Sequence, residues 1–308
     1  MRHPAPAPKP WLAASLLAAL LLSVACTPGR EPFARLAGLV FDGRLPEISG
    51  LAASQRHRDV LWAINDGGND AALYALTRRG RVVSRHRIRG VANPDWEDLS
   101  AFELDGRRYL LVADVGDNGG LRRTLQLHAI AEPGTLDGAA LRPAWSVAFR
   151  WPDGARDTEA VTVDVAAGQV LLVSKRERPA QLYAVPLRPR DGTRQVARRL
   201  GPLAGIPQPS ADERRARHSR ARLKGMVTAA DLSPDGRTLA VMTYNDLLLY
   251  RRRGDEPWAK AVARAPRVHE LPWIPLAEAL AWTSGGHGLM ATGEFEPAPL
   301  FFLVPGEG

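Results

Sequence analysis

Five times along this chain a polar residue opens a short apolar run, a turn follows, and a second apolar run ends in Asp, Asn, Lys or Glu. The fullest copy begins at Asp95-Trp96-Glu97-Asp98, turns at Asp105-Gly106, and runs through Tyr109 to Asp114, Asp117 and Asn118. Glu159 heads a copy that ends at Ser174-Lys175, and Glu278 heads one that ends at Thr292-Gly293-Glu294. Weaker copies begin at Ser49, with Glu47 two residues earlier, and at Ala230-Asp231-Leu232. Each opening pair is followed by further apolar runs, rich in Val, Leu, Ala and Tyr and bounded by Gly, Pro, Asp and Asn, as strands are.

The runs sort into groups of four: 48–53, 60–64, 72–76 and 82–88; 98–104, 109–114, 125–130 and 145–151; 160–165, 170–174, 181–185 and 194–200; 228–232, 238–243, 247–250 and 259–268. A fifth group has only three, at 279–282, 289–292 and 300–304, and the run 33–41 can supply the fourth. Four-stranded units recurring every 40 to 50 residues or so mark a β-propeller. Closing the last blade with the first strand leaves no open edge at the seam. The expectation is an all-β, five-bladed propeller over residues 33–308. Six blades would require the long interval between Glu159 and Ala230 to hide a degenerate copy. That interval holds a polar insertion at 202–225, in which Arg214, Arg215, Arg217, Arg220, Arg222 and Lys224 crowd a helix-favouring segment. It reads as a solvated surface excursion, with a lid or a patch for anionic groups as the sharper alternative.

The amino terminus is of another kind. Arg2 and Lys9 precede residues 11–25, an apolar run broken only by Ser15 and Ser23, too short for a membrane span of about 20 residues. Residues 1–25 read as an export signal, and 26–32 as a tether. Cys26, the only cysteine, follows Leu22-Ser23-Val24-Ala25 and resembles a bacterial lipobox cysteine, with Ser23 where that motif usually has Leu. Such a residue would be lipidated and would tether the protein to a membrane in the periplasm. A lone cysteine excludes an intrachain disulfide. The formal charge of +8 comes from an Arg bias without any basic helix interleaved with stacking aromatics, so nucleic acid is not an expected partner.

In a propeller the first strand of each blade lines the channel, which brings Glu97, Glu159 and Glu278 toward one axis. The ends of the second strands add Asp66, Asp114, Lys175, Tyr244 and Glu294 near the same mouth. Carboxylates held together need a cation, a shared proton or a basic neighbour. An oxygen-only set favours Ca²⁺ over Zn²⁺. The alternative is a latch, each Glu bonding the backbone of the next blade, and the two readings stand together. Asn65 to Asp70 and the stretch around Asn118 also suit tight turns. No Gly-x-Ser-x-Gly elbow, His-Glu-x-x-His pair or phosphate-cradling Gly loop is present, so no catalytic residue is named.

At Glu47-Ile-Ser-Gly-Leu, Leu61-Trp-Ala-Ile-Asn-Asp66, Asp95-Trp-Glu-Asp-Leu99, Ala113-Asp-Val-Gly-Asp-Asn118 and Glu278-Ala-Leu, the chain resembles exported bacterial propellers of the phytase-like and TolB-like group. The resemblance implies Ca²⁺ held by Glu97, Glu159, Glu278 and Asp114. It also implies a substrate anion facing Lys175; Asp66, Asn118 and Glu294, at or just beyond the second-strand ends, complete the expected substrate-binding set. Ala230 breaks the acidic series in the fourth copy. Two functions follow as expectations: a lipid-anchored envelope module that binds an unidentified protein or small anionic ligand, and a Ca²⁺-dependent hydrolase of phosphate or carboxylic esters.

Overall fold

A computed structural model describes residues 32–189, 194–215 and 219–306. The export signal and Cys26 lie outside the described residues, as do Arg217 and its two neighbours within the insertion.

Strand β1 (Ala34–Val40) comes first in the chain and last in the ring. Blade 1 is β2 (Ile48–Ala53), β3 (Val60–Asn65), β4 (Ala72–Thr77) and β5 (Val82–Arg87). Blade 2 is β6 (Trp96–Leu104), β7 (Arg107–Asp114), β8 (Leu125–Ala131) and β9 (Pro143–Arg150). Blade 3 is β10 (Thr158–Asp164), β11 (Gln169–Ser174) and β12 (Gln181–Pro186). Beyond it, β13 (Gln195–Val196) joins blade 2, and β14 (Arg198–Pro202) closes blade 3. Blade 4 is β15 (Val227–Leu232), β16 (Thr238–Thr243), β17 (Asp246–Arg251) and β18 (Arg267–Glu270). Blade 5 is β19 (Ala277–Trp282), β20 (Leu289–Gly293) and β21 (Ala298–Leu303), against which β1 pairs antiparallel from Ala34↔Leu303 to Val40↔Ala298. The first strand thus closes the last blade, and the blades number five.

Turn chemistry sets the hairpins. Asp105 and Gly106 both adopt positive φ, 53° and 70°, between β6 and β7, the two left-handed residues that a two-residue hairpin matched to strand twist requires. The core is a series of apolar layers, each between neighbouring blades. Trp62 and Trp96 are fully buried in the layer between blades 1 and 2.

Two strand assignments are corrected. The run 259–268 divides into a helix, Trp258–Val262, and β18. Trp258, Ala261 and Val262 bury one side of that helix at helical spacing, and the Trp258 indole N–H donates to Asp164 at 3.0 Å. The run 194–200 also splits, since Gln195 and Val196 pair in parallel with Phe149 and Arg150 of blade 2 before the chain returns to blade 3. That crossing covers the outer edge of blade 2. The insertion carries short helices at Ala211–Arg215 and Ser219–Leu223. Among the described residues no helix is long and apolar enough to cross a membrane.

A candidate ligand funnel

Strands β2, β6, β10, β15 and β19 pack against one another in a closed ring at the hub. Their starts, the ends of the second strands and the linkers between blades therefore share one face. Every one of these inner strands carries a register shift at the same place, one extra residue against its partner: Ser49, Glu97, Glu159, Thr228 and Glu278. A bulge re-aims the extra residue and is common beside functional sites. The fourth-blade equivalent of the glutamates is thus Thr228, and the alignment on Ala230 was two residues out. Glu47 is exposed at the rim and accepts a hydrogen bond from Asn69 at 2.8 Å, while Ser49 holds the bulge. The signal for this was in the sequence: Glu159-Ala160, Thr228-Ala229 and Glu278-Ala279 share a small residue after the bulge.

The five bulge residues divide into two kinds. Ser49 donates its hydroxyl to the Trp96 carbonyl at 2.9 Å, and Thr228 donates to the Ala277 carbonyl at 2.7 Å, each reaching the residue before the next blade's glutamate. These hydroxyls are the latches. A carboxylate cannot donate, and Glu97, Glu159 and Glu278 make no such bond among the described residues. They turn instead to each other's neighbourhood.

The two latching residues that sequence reasoning missed lie one layer deeper. Asp98 is fully buried, and its carboxylate accepts backbone N–H groups from Leu99 at 2.8 Å, Val161 at 2.7 Å and Ala230 at 3.3 Å. Asp231 accepts from Trp282 N–H at 2.8 Å, Leu232 N–H at 3.0 Å and the Thr162 hydroxyl at 3.2 Å. The inner strands expose unpaired donors toward the channel, and buried N–H groups must find acceptors. Two carboxylates meet that need across blades 2 to 5. Burial raises both, Asp231 to about 7 and Asp98 well above its ordinary value.

Within the funnel the sequence-predicted residues converge. Asp66, Asp95 and Glu97 bring carboxylate oxygens within 4.8 Å of one another, and so do Glu97, Asp157 and Glu159. Glu97 belongs to both groups. Asp114, Asp157 and Glu159 have cations: Arg122 at 2.7 Å, Arg176 at 2.8 Å and Lys175 respectively. Asp66, Asp95, Glu97, Glu278 and Glu294 have no ion-pair partner among the described residues. Lys175, expected to face a substrate anion, is itself buried and engaged by Glu159, with its ammonium 5.7 Å from the Tyr244 ring centre. Asn118 is exposed and accepts from Arg176, which ties it to Asp157. Tyr244 donates to Glu278 Oε1 at 2.6 Å. Asp157 has no place in the sequence pattern, and Asp95 enters it only as the opening of the second copy and not as a site residue, because both sit in linkers whose position only the closed ring defines.

The electrostatics follow from the crowding. Burial first, then the Asp66 and Asp95 charges, raise Glu97 well above its ordinary value, against the pull of Lys175. Burial pushes Asp66 to about 6, and burial with the hydrogen bond to Glu278 pushes Glu294 to about 9. Glu159 Oε2 is buried with no hydrogen-bond partner. A cation in this pocket would relieve all of these at once.

The rim is apolar. Phe41, Leu121, Trp273 and Phe295, on loops of this face, are 77%, 83%, 76% and 60% exposed. They account for half of the eight large hydrophobic residues that are exposed among the described ones.

No protein-family model and no curated protein matches this chain. Among solved structures it is similar to the major allergen Mala s 1 of Malassezia sympodialis, with a TM-score of 0.56 and 12% identity over 91% of this chain and 99% of that one. It also overlaps a nidogen/laminin complex, with a TM-score of 0.42 and 12% identity over 80% of this chain and 73% of that one. The Mala s 1 likeness is one of fold, and the second overlap is too loose to bear on function. The resemblance to phytase-like and TolB-like propellers rests on the sequence motifs alone.

Proposed function

We propose that this protein is a ligand-binding module of the cell envelope whose funnel holds a hard divalent cation, Ca²⁺ foremost. The observation that carries the reading is Glu97: buried, without a hydrogen-bond donor among the described residues, and common to two clusters of carboxylate oxygens. The orphaned Glu159 Oε2 beside it fits the same demand. Asp66, Asp95 and Glu97, or Glu97, Asp157 and Glu159, would hold the ion, with water completing the six to eight oxygen ligands that Ca²⁺ takes in flexible geometry. Glu278 and Asp114, which the family resemblance implies as ligands, lie outside both clusters: the first is bonded to Tyr244, the second to Arg122. A bound cation would neutralise the crowded carboxylates and offer open positions to oxygen atoms of a ligand. Arg122 and Arg176 orient Asp114 and Asp157, and the exposed aromatic rim supplies apolar contact around the mouth. Propellers host many unrelated functions, so the site and not the fold supports this reading.

Export by residues 1–25 and lipid attachment at Cys26 belong to the same proposal, and radiolabelled palmitate incorporation lost in Cys26→Ala tests the anchor. For the cation, thermal unfolding of the mature protein is compared in EGTA and in excess Ca²⁺. A ligand at about 100 times its Kd adds roughly 2.7 kcal/mol, which is on the order of 5 °C for a domain of this size. Glu97→Gln should abolish the rise. Absence of any rise in the parent protein overturns the cation centre. The hydrolase reading needs more: turnover of p-nitrophenyl phosphate or acetate, lost in the same variant. Binding is preferred because the described funnel residues include neither histidine nor cysteine, and the Tyr244 hydroxyl, which donates to Glu278, is held protonated by burial and by that carboxylate.

A further inference from the structure

We propose that the cleft beside the funnel, lined by Trp273, Tyr244 and the Glu270 carboxylate, binds a small ammonium compound. The proposal rests on this face being the ligand mouth and does not require the cation centre. The cleft, of about 370 Å³, falls within the range of small-molecule sites, roughly 300 to 1,000 Å³. Tyr244, Leu223, Glu270, Pro272, Trp273 and Ile274 line it.

Its main wall is the linker between β18 and β19, and that linker is fixed. Leu271 donates its N–H to the Asn245 carbonyl at 2.8 Å, and the Glu294 N–H donates to the Leu276 carbonyl at 3.1 Å. Leu271 and Ile274 are buried anchors. Gly293 lets the linker lie on the end of β20, since a Cβ there would overlap the Pro275 and Leu276 carbonyls. Between these anchors Trp273 stands 76% exposed, with no ring or cation contact among the described residues. Packing gives it no role.

The chemistry of the lining selects the occupant. Trp273 and Tyr244 both line the cleft, and Tyr244 joins it to the funnel through its hydroxyl bond to Glu278. Glu270, exposed and without an ion-pair partner among the described residues, is the carboxylate of the lining. Aromatic walls with a carboxylate among them favour an ammonium group, whose charge is attracted to ring faces. Lys175 already holds its ammonium 5.7 Å from the centre of the same Tyr244 ring. An anion would meet Glu270. An acyl chain would leave Glu270 and Asn245 desolvated without partners.

Choline and its uncharged isostere 3,3-dimethyl-1-butanol separate charge from shape. Titration into the mature protein, followed by tryptophan fluorescence and calorimetry, should give saturable choline binding with a Kd on the order of millimolar, as a handful of heavy atoms allows. The isostere should bind at least tenfold more weakly. Trp273→Ala should lose choline binding at least tenfold with an unchanged melting temperature, and Trp273→Phe should retain part of it. Equal binding of the two compounds, no saturation, or no effect of Trp273→Ala would each overturn the proposal. The titration is repeated in EGTA, where undiminished choline binding is expected. Loss there would place choline at the cation centre and overturn the assignment to the cleft. A failed Ca²⁺ response with intact choline binding would sink the cation reading alone.

Discussion

Replacing Asp98 by alanine removes the acceptor for three backbone N–H groups that belong to three different blades. Two of those bonds are short, 2.7 Å to Val161 and 2.8 Å to Leu99, and the third, to Ala230, is 3.3 Å. A buried donor left unmade costs about 1–3 kcal/mol. Two full losses and one partial loss sum to roughly 3–7 kcal/mol, and relief from burying the carboxyl reduces this to about 2–5 kcal/mol. Set against a total of roughly 5–15 kcal/mol, that is a large fraction of the stability. The assay is equilibrium urea unfolding read by tryptophan fluorescence, to which the neighbouring Trp96 contributes. With a slope of about 2–3 kcal/mol/M, the midpoint should fall by about 1–2 M at constant slope. Asp98→Asn is nearly isosteric but keeps one acceptor oxygen and turns N–H donors toward backbone N–H. It should recover less than half of the loss. If both variants lose under about 1 kcal/mol, water satisfies those strands and the carboxylate is not what ties the hub.

Two further outcomes follow from the funnel. Asp231, Asp66 and Glu294 titrate near 7, 6 and 9 in the folded protein and near 4 when unfolded, so the folded state holds the extra protons and stability falls as pH rises through that window. In EGTA the melting temperature should be higher at pH 5 than at pH 8.5, and scanning calorimetry showing the reverse would refute the burial argument. Gly116 lies so close to the acidic pair that an added Cβ would overlap Glu97 Oε1 and the Asp95 carboxylate. Gly116→Ala should therefore remove the Ca²⁺-induced rise in melting temperature while leaving a folded, cooperative domain, as seen by circular dichroism and differential scanning fluorimetry.

Strand existence, blade count and the closure of the last blade by residues 34–40 were all legible in the chain, because turn residues and apolar runs act locally and recur. The same local rule misled where an apolar run was too short to show its period. At 258–262 the burial of Trp258 on Asp164, a partner 94 residues away, made a helix of an expected strand. The convergence of Glu97, Glu159 and Glu278 was readable from the repeat alone, since equivalent positions in a ring meet at its axis.

What only the tertiary structure decided is which polar residues tie the ring and which face the ligand mouth. One extra residue in each inner strand turns Ser49 and Thr228 into donors to the next blade and leaves the glutamates in the pocket, and the small residue after it is a faint mark of that shift in a repeat tens of residues long. Asp98 and Asp231 carry no pattern that separates them from surface acids. Their role exists because five strand edges point their unpaired N–H groups at one axis, and that geometry belongs to the closed ring rather than to any segment of the chain.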